Sequence, residues 1–175
     1  MATVIYSATA SLDGFIAGPG GDMSWLSEHL GGENEAADRL LARLGALLVG
    51  RVTYGGDDPN AGTDAEGAFG GQYDGPVVVL THRPPDDPPA GVEFATDLVT
   101  AVERAKALAG DRDVNVLGAD VAAQCLAAGL LDEVLMFFAP VLLGDGTPMF
   151  VRPRGERVRL ERLPGETEHW YRVVR

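Results

Sequence analysis

Three short stretches of the chain place a glycine or threonine at the end of an apolar run, with polar or cationic groups on the following turn. They are Gly50-Arg51-Val52-Thr53, Thr81-His82-Arg83 and Leu117-Gly118-Ala119-Asp120. This pattern suits anion binding. A strand that ends in glycine lets the backbone approach a ligand closely, and a helix start presents free amides to negative oxygens. In the first stretch Arg51 can pair a phosphate while the Thr53 hydroxyl takes another oxygen. In the second, Arg83 suits a 2′-phosphate, and His82 adds charge near neutrality or stacks on a base. In the third, Asp120 either caps a helix or borders a ligand. Each stretch also has a plainer reading, as a strand end with a solvated turn.

The rest of the chemistry is constrained by composition. The 175 residues carry 14 Lys and Arg against 26 Asp and Glu, a net charge of −12 with a pI near 4.5. Such a surface repels nucleic-acid backbones and anionic lipid. The charge is uneven, because residues 151–175 hold seven Arg and four Glu, leaving −15 on residues 1–150. Within that acidic portion Arg51, His82 and Arg83 are the cations set at strand ends. No G-x-G-x-x-G joins a strand to a helix, and the single lysine, Lys106, rules out a Walker loop. No G-x-S-x-G occurs, and His29, His82 and His169 are too scattered for a metal cluster, so no metal is expected.

These groups must be positioned by a scaffold, and the hydrophobic periodicity supplies one. Strands are predicted over 3–10, 46–49, 77–81, 92–95, 114–117 and 133–141, and helices over 33–44, 98–109 and 119–128. The helix at 98–109 has Asp97 as its cap and Gly110 as its stop. Residues 158–163 and 167–174 form a terminal antiparallel hairpin about Pro164-Gly165. Residues 17–26 and 55–75 are glycine-rich loops. Strands alternating with helices predict a single α/β domain over 1–175, with a mostly parallel sheet and an antiparallel edge.

Cys125, the one cysteine, excludes an internal disulfide and sits in an apolar helical stretch, where it reads as a small buried hydrophobe. The N-terminus lacks a basic region before its apolar residues, and the run Val134–Gly144 is too short to span a bilayer, so a cytoplasmic protein is expected.

Taken in order, SLDGFIA (11–17), Trp25-Leu26, VGRVTY (49–54), VVLTHR (78–83), LGADVAAQCLAAGLLDEV (117–134) and PVLLGDGTPMF (140–150) resemble the dihydrofolate reductase-like superfamily. Within it, the chain is most similar to the reductase domain at the C-terminus of bifunctional riboflavin-biosynthesis deaminase–reductases and to its stand-alone relatives. The resemblance implies a three-layer α/β fold with helices on both faces of the sheet. It also implies NADPH as cofactor and a small heterocyclic or sugar-linked substrate, of the 5-amino-6-(5-phosphoribosylamino)uracil type. By resemblance, Gly50, Arg51 and Thr53 line one phosphate-binding helix start, and Thr81, His82 and Arg83 face the 2′-phosphate. Gly118, Ala119, Asp120, Val121 and Ala122 hold the pyrophosphate, and Ala8, Ile16 and Ala17 wall the nicotinamide.

A proton relay or substrate-orienting carboxylate is sought among Asp13, Glu28 and Glu33; the same residues also suit a turn former and two first-turn helix acids. Relatives usually carry two adjacent glycines at the third junction, where this chain has Leu117-Gly118. Deaminase motifs are absent, and residues 55–75 contain no Lys or Arg to clamp a substrate phosphate. Two alternatives follow, a pterin or dihydrofolate reductase with a buried carboxylate at the nicotinamide, and a nucleotide-binding protein without catalysis. Relatives of this kind also pair as homodimers, here expected through strand 133–141 and the hairpin.

Overall fold

In the computed structural model, the described residues are 2–29, 34–56, 58–151, 155, 157–166 and 169–175. The first strand, β1 (Val4–Ser11), is rich in β-branched and aromatic residues, and its first four residues are all buried. Burial on both faces is what a strand at the centre of a parallel sheet requires. The other main strands are β3 (Leu44–Gly50), β4 (Val77–Leu80), β5 (Val92–Ala95), β6 (Asp113–Leu117), β7 (Glu133–Ala139), β9 (Arg159–Arg162) and β10 (His169–Val174). They form one sheet in the order β5-β4-β3-β6-β1-β7-β10-β9. The first six run parallel; β10 pairs antiparallel with β7, and β9 antiparallel with β10.

Helices cover both faces. On one, α3 (Leu98–Ala109) and α4 (Ala119–Ala127) lay Ala101, Val102, Ala105, Val121, Ala122 and Cys125 against Val4, Tyr6, Leu48, Val114 and Val116. Cys125 is fully buried, and that burial pushes its thiol up to about 12, so it packs as an apolar residue. On the other face α1 (Glu35–Arg43) sets Ala36 and Leu40 against Ile5, Leu135 and Trp170. Asn34 caps α1 by accepting from the amides of Ala36 and Ala37, so the helix starts two residues later than its periodicity predicts. Glu33 lies outside the described residues. The chain then turns straight from Arg43 into β3 at Leu44, two residues earlier than expected.

Helix α3 begins and ends at its predicted residues. Asp97 accepts from the Thr100 amide at 2.9 Å, which holds its carboxyl below the usual range, and Gly110 closes the helix at φ +63°. No described helix is long and apolar enough to cross a membrane. Strand β7 is flanked by β1 and β10, and the hairpin's outer strand is β9.

Two elements escape the periodicity. Strands β2 (Phe15–Ala17) and β8 (Thr147–Pro148) pair antiparallel as a small second sheet beside the main one. At the far end of the strands a charged cluster fixes the start of β6 and β7. Arg43 Nε contacts Asp113 at 2.7 Å, its guanidinium stacks over Trp170 at 5.1 Å, and the Trp170 indole donates to Glu133 at 2.9 Å.

Candidate functional site

Where parallel strands end, the helices that follow them leave a crevice lined by backbone amides. Here a cleft of about 1620 Å³ runs over the carboxyl ends of β4, β3, β6, β1 and β7. All three anion-suited stretches open into it.

The first and third stretches touch. β3 ends at Gly50 and the single turn α2 (Arg51–Tyr54) follows; β6 ends at Leu117 and Gly118 caps α4. Gly118 sits at φ +101°, a conformation that suits glycine, and a β-carbon there would lie 2.5 Å from Thr53 Oγ1. Likewise a β-carbon on Gly50 would come 3.0 Å from Val121 Cγ2. The two glycines thus let two backbone turns pack against each other at the cleft floor. No side chain caps α4, so the amides of Gly118, Ala119, Asp120 and Val121 lack intrahelical partners and face the cleft as an anion cradle. Ala122 departs from expectation. Its amide donates to the Gly118 carbonyl at 3.1 Å, and its side chain is fully buried in the core. The fourth helical residue is the first whose amide bonds within the helix, so the cradle ends at Val121.

Leu117 is an ordinary strand residue, paired with Val49 and packed against the apolar cluster of Leu44, Leu47 and Val79. The unusual backbone falls on Gly118 alone, so a leucine at 117 leaves the cradle intact.

The second stretch closes one end. Thr81 is buried, its amide donates to the Ala95 carbonyl at 2.9 Å, and its hydroxyl accepts from the Arg83 amide at 3.2 Å. That turn projects His82 and Arg83, both exposed, to the cleft rim. Among the described residues neither Arg51 nor Arg83 has an acidic side-chain partner.

Ala8, Ile16 and Ala17 line the cleft, an apolar wall on β1 and β2. The wall is braced from behind. Asp13 accepts from the Ser11 hydroxyl at 2.6 Å and from the amides of Leu143 and Gly144 at 3.1 and 2.7 Å. The Ser11 hydroxyl bond, reinforced by the two amides, holds the Asp13 carboxyl below its usual value. Gly146 lies so close to Ala17 that a β-carbon would reach 2.0 Å from the Ala17 carbonyl oxygen. The Tyr6 hydroxyl donates to the Met149 carbonyl at 3.0 Å. SLDG and PVLLGDGTPMF, remote in sequence, are therefore one structural unit.

This corrects the expected roles of the carboxylates. Asp13 lies outside the cleft lining, spent on backbone amides and held ionised, so it braces the wall instead of relaying a proton. Glu28, on a short 3-10 helix over Ser24–His29, is exposed and also outside the lining.

The remaining cleft walls were not anticipated. One is a stripe of α1, Asn34, Ala37, Asp38 and Leu41, at the i, i+3, i+4, i+7 spacing of a helix face. Another is the glycine-rich loop, which organises itself. Asp58 accepts from the amides of Asn60 and Gly67 at 2.8 and 2.6 Å, and Glu66 from that of Gly62 at 2.8 Å. Phe69 in this loop has φ +56° and packs against both apolar clusters on the α1 face while lining the cleft. A bulky residue in that conformation is strained, and such strain collects at ligand-binding sites. Ser7, Thr9 and Phe137, on strands β1 and β7, complete this chamber. None of the described carboxylates lining the cleft is fully buried.

The fold has counterparts in known proteins. A family model, the RibD C-terminal domain, matches residues 2–167. No curated protein matches in a sequence search. Among solved structures, a provisionally named riboflavin biosynthesis protein from Shewanella sp. PV-4 shares the fold with a TM-score of 0.73 at 22% identity, over 99% of each chain. The Thermotoga maritima diaminohydroxyphosphoribosylaminopyrimidine deaminase/5-amino-6-(5-phosphoribosylamino)uracil reductase superposes at 0.59 and 18% identity; the match covers 98% of this chain and 55% of that one. A pyrimidine reductase-like protein from Corynebacterium diphtheriae gives 0.56 at 16% identity, over 99% and 92% of the two chains.

Proposed function

The chain belongs to the RibD C-terminal domain family, the reductase part of deaminase–reductase enzymes, and from that premise we propose an NADPH-dependent reductase of a small heterocyclic or sugar-linked substrate, of the aminopyrimidine reductase type. The observation that carries this reading is the contact between the two glycine turns. Gly118 and Gly50 let the two turns pack against each other through Thr53 and Val121, directly beside the uncapped α4 amides. A pyrophosphate fits that chemistry: backbone donors at a positive helix end. Arg51 approaches the same anion from α2, while Thr81 orients the turn that carries His82 and Arg83 toward an adenosine 2′-phosphate.

When bound, NADPH supplies hydride from C4 of its nicotinamide to an electrophilic carbon and leaves as NADP⁺, the heteroatom of the reduced bond taking a proton from water. The chain's own work is positional. Ala8, Ile16 and Ala17 offer a flat apolar wall that orients the ring and displaces water from one face of it. Asp13 and Gly146 keep that wall in register. The α1 stripe and Phe69 hold the substrate on the opposite side. Proton delivery from solvent agrees with the absence of a fully buried carboxylate among the described lining residues, the feature a pterin reductase would need.

Titration with NADPH, followed by quenching of Trp25 and Trp170 fluorescence, tests the reading. Saturable binding at micromolar concentrations, with NADPH consumption when an aminopyrimidine ribosylamine is added, is expected. No binding at millimolar NADPH overturns it. Binding without consumption across aminopyrimidine and pteridine substrates supports the non-catalytic alternative.

A further inference from the structure

The apolar layer beneath α1 is split in two. Ile5, Ala36, Leu40, Leu135 and Trp170 form one cluster, and Leu44, Leu47, Val49 and Val79 form the other. A polar residue, Asn115 of β6, lies on the seam between them. Its strand neighbours are Ile5 of the first cluster and Leu47 of the second. Asn115 is fully buried, and neither its Oδ1 nor its Nδ2 has a hydrogen-bond partner among the described residues. Burying an amide with both ends unpaired is costly, whereas an aliphatic side chain there would simply join the two clusters.

The seam leads to the cleft. Alternation along β1 and β6 puts Ser7 and Leu117 on the same face as Ile5 and Asn115, one step nearer the carboxyl ends of the strands. Both Ser7 and Leu117 line the cleft. Ser7 is only 3% exposed, and its hydroxyl makes no hydrogen bond to a described residue. Two polar side chains without partners thus stand diagonally on adjacent strands, one in the floor and one beneath it. Their α-carbons are separated by about 7–8 Å in such an arrangement, a gap that one water between the side chains can span.

We infer that the Asn115 amide holds a water molecule beneath the cleft floor, and that this water fixes the Ser7 hydroxyl for hydrogen bonding to the substrate. Asn115 is then a positioning residue, and Ser7 is the group that touches the heterocycle. The inference rests on the reductase reading above and names a recognition element inside that site. The amide and the hydroxyl supply the polar partners that a buried water requires. Held from below, the hydroxyl no longer rotates freely, so less freedom is lost when the substrate binds.

A high-resolution crystal structure of the protein tests the water directly. A water within hydrogen-bond distance of both the Asn115 amide and Ser7 Oγ is expected; a dry seam, or an amide bonded only to protein atoms, overturns the inference. The positioning role is read from kinetics with an aminopyrimidine ribosylamine. Ser7→Ala and Asn115→Val are each expected to lower kcat/KM about tenfold, the loss of one hydrogen bond, while NADPH affinity changes less than about twofold. The double variant is expected to lose no more than either single one, because both remove the same bond. A merely structural asparagine would give losses that multiply; that result, or an Asn115→Val variant with unchanged kcat/KM, overturns the inference. Asn115→Leu, closer to the amide in shape, repeats the measurement should the valine variant fold poorly. Where the compound binds without being reduced, the same cycle is read from its affinity for the NADPH-loaded protein. Failure to bind NADPH counts instead against the reductase reading, and the crystal structure still decides the water.

Discussion

The Thr53 hydroxyl rests against the α-carbon of Gly118, so that a β-carbon at 118 would lie 2.5 Å from Oγ1. The first helical turn after β3 and the start of α4 are thereby locked together, and the anion cradle depends on both. Gly118→Ala introduces the clash and also places alanine at φ +101°. The expected cost is about 1–3 kcal/mol of stability, with NADPH affinity reduced at least about tenfold. Thr53→Ala in the same chain removes the clash but leaves the backbone strain, so the double variant recovers only part of the loss. Thermal melting and NADPH titration of the two single variants and the double variant measure this.

Arg83 sits at the rim, on the turn anchored by Thr81. On the proposed charge-assisted contact to a 2′-phosphate, Arg83→Ala is expected to weaken NADPH about tenfold and NADH less than threefold. Equal losses for the two cofactors would remove the 2′-phosphate role.

Asp13 braces the cleft wall through three donors, and its carboxyl is held below the ordinary 3.8. A folded-state value below the unfolded one adds stability that is complete above the unfolded value and is lost as pH falls through the folded one. Asp13→Ala should therefore melt lower than the parent at pH 7, and the difference should close on the acid side of pH 3.8. A difference independent of pH would show that the lost packing matters and the charge does not.

Glu133 titrates in the other direction. Burial raises its pKa, against the opposing pull of Arg43 and the Trp170 indole. With the folded value above the unfolded 4.5, the parent loses stability as pH rises through the folded value. Glu133→Gln keeps an acceptor for Trp170 and removes the ionisation penalty. Its melting temperature at pH 7 is expected to equal or exceed the parent's, while at pH 4 that advantage vanishes. A large loss at pH 7 would mean that the ion pair with Arg43 outweighs desolvation.

Sequence periodicity reads best where local rules and tertiary packing agree. The cap at Asp97, the stop at Gly110 and the apolar run of β4 are local signals, and the structure keeps them. The strands β2 and β8 are too short to show a period, and only their mutual pairing makes them strands. Asp13 looks catalytic in sequence because its partners are backbone amides about 130 residues away, and amides carry no residue signature. Ala122 fits the helix start by position, but counting hydrogen bonds from the cap places it one residue too deep. The α1 stripe is periodic, yet its orientation toward a cleft depends on where the 58–72 loop folds. The left-handed Phe69 has no local sign beyond the glycines beside it.

The bond from the Gly144 amide to Asp13 spans 131 residues. During synthesis β1 emerges long before β6 and β7, the strands that flank it, and its SLDG turn waits for residues 139–148. Contacts of such high sequence separation close late in folding, because the intervening chain must be ordered first. The α4 cradle and the Arg83 turn are complete earlier along the chain than the wall at Ile16 and Ala17. The part of the cleft built by α2, α4 and the Thr81 turn is thus synthesised whole before the residues that brace the wall at Ile16 and Ala17 exist.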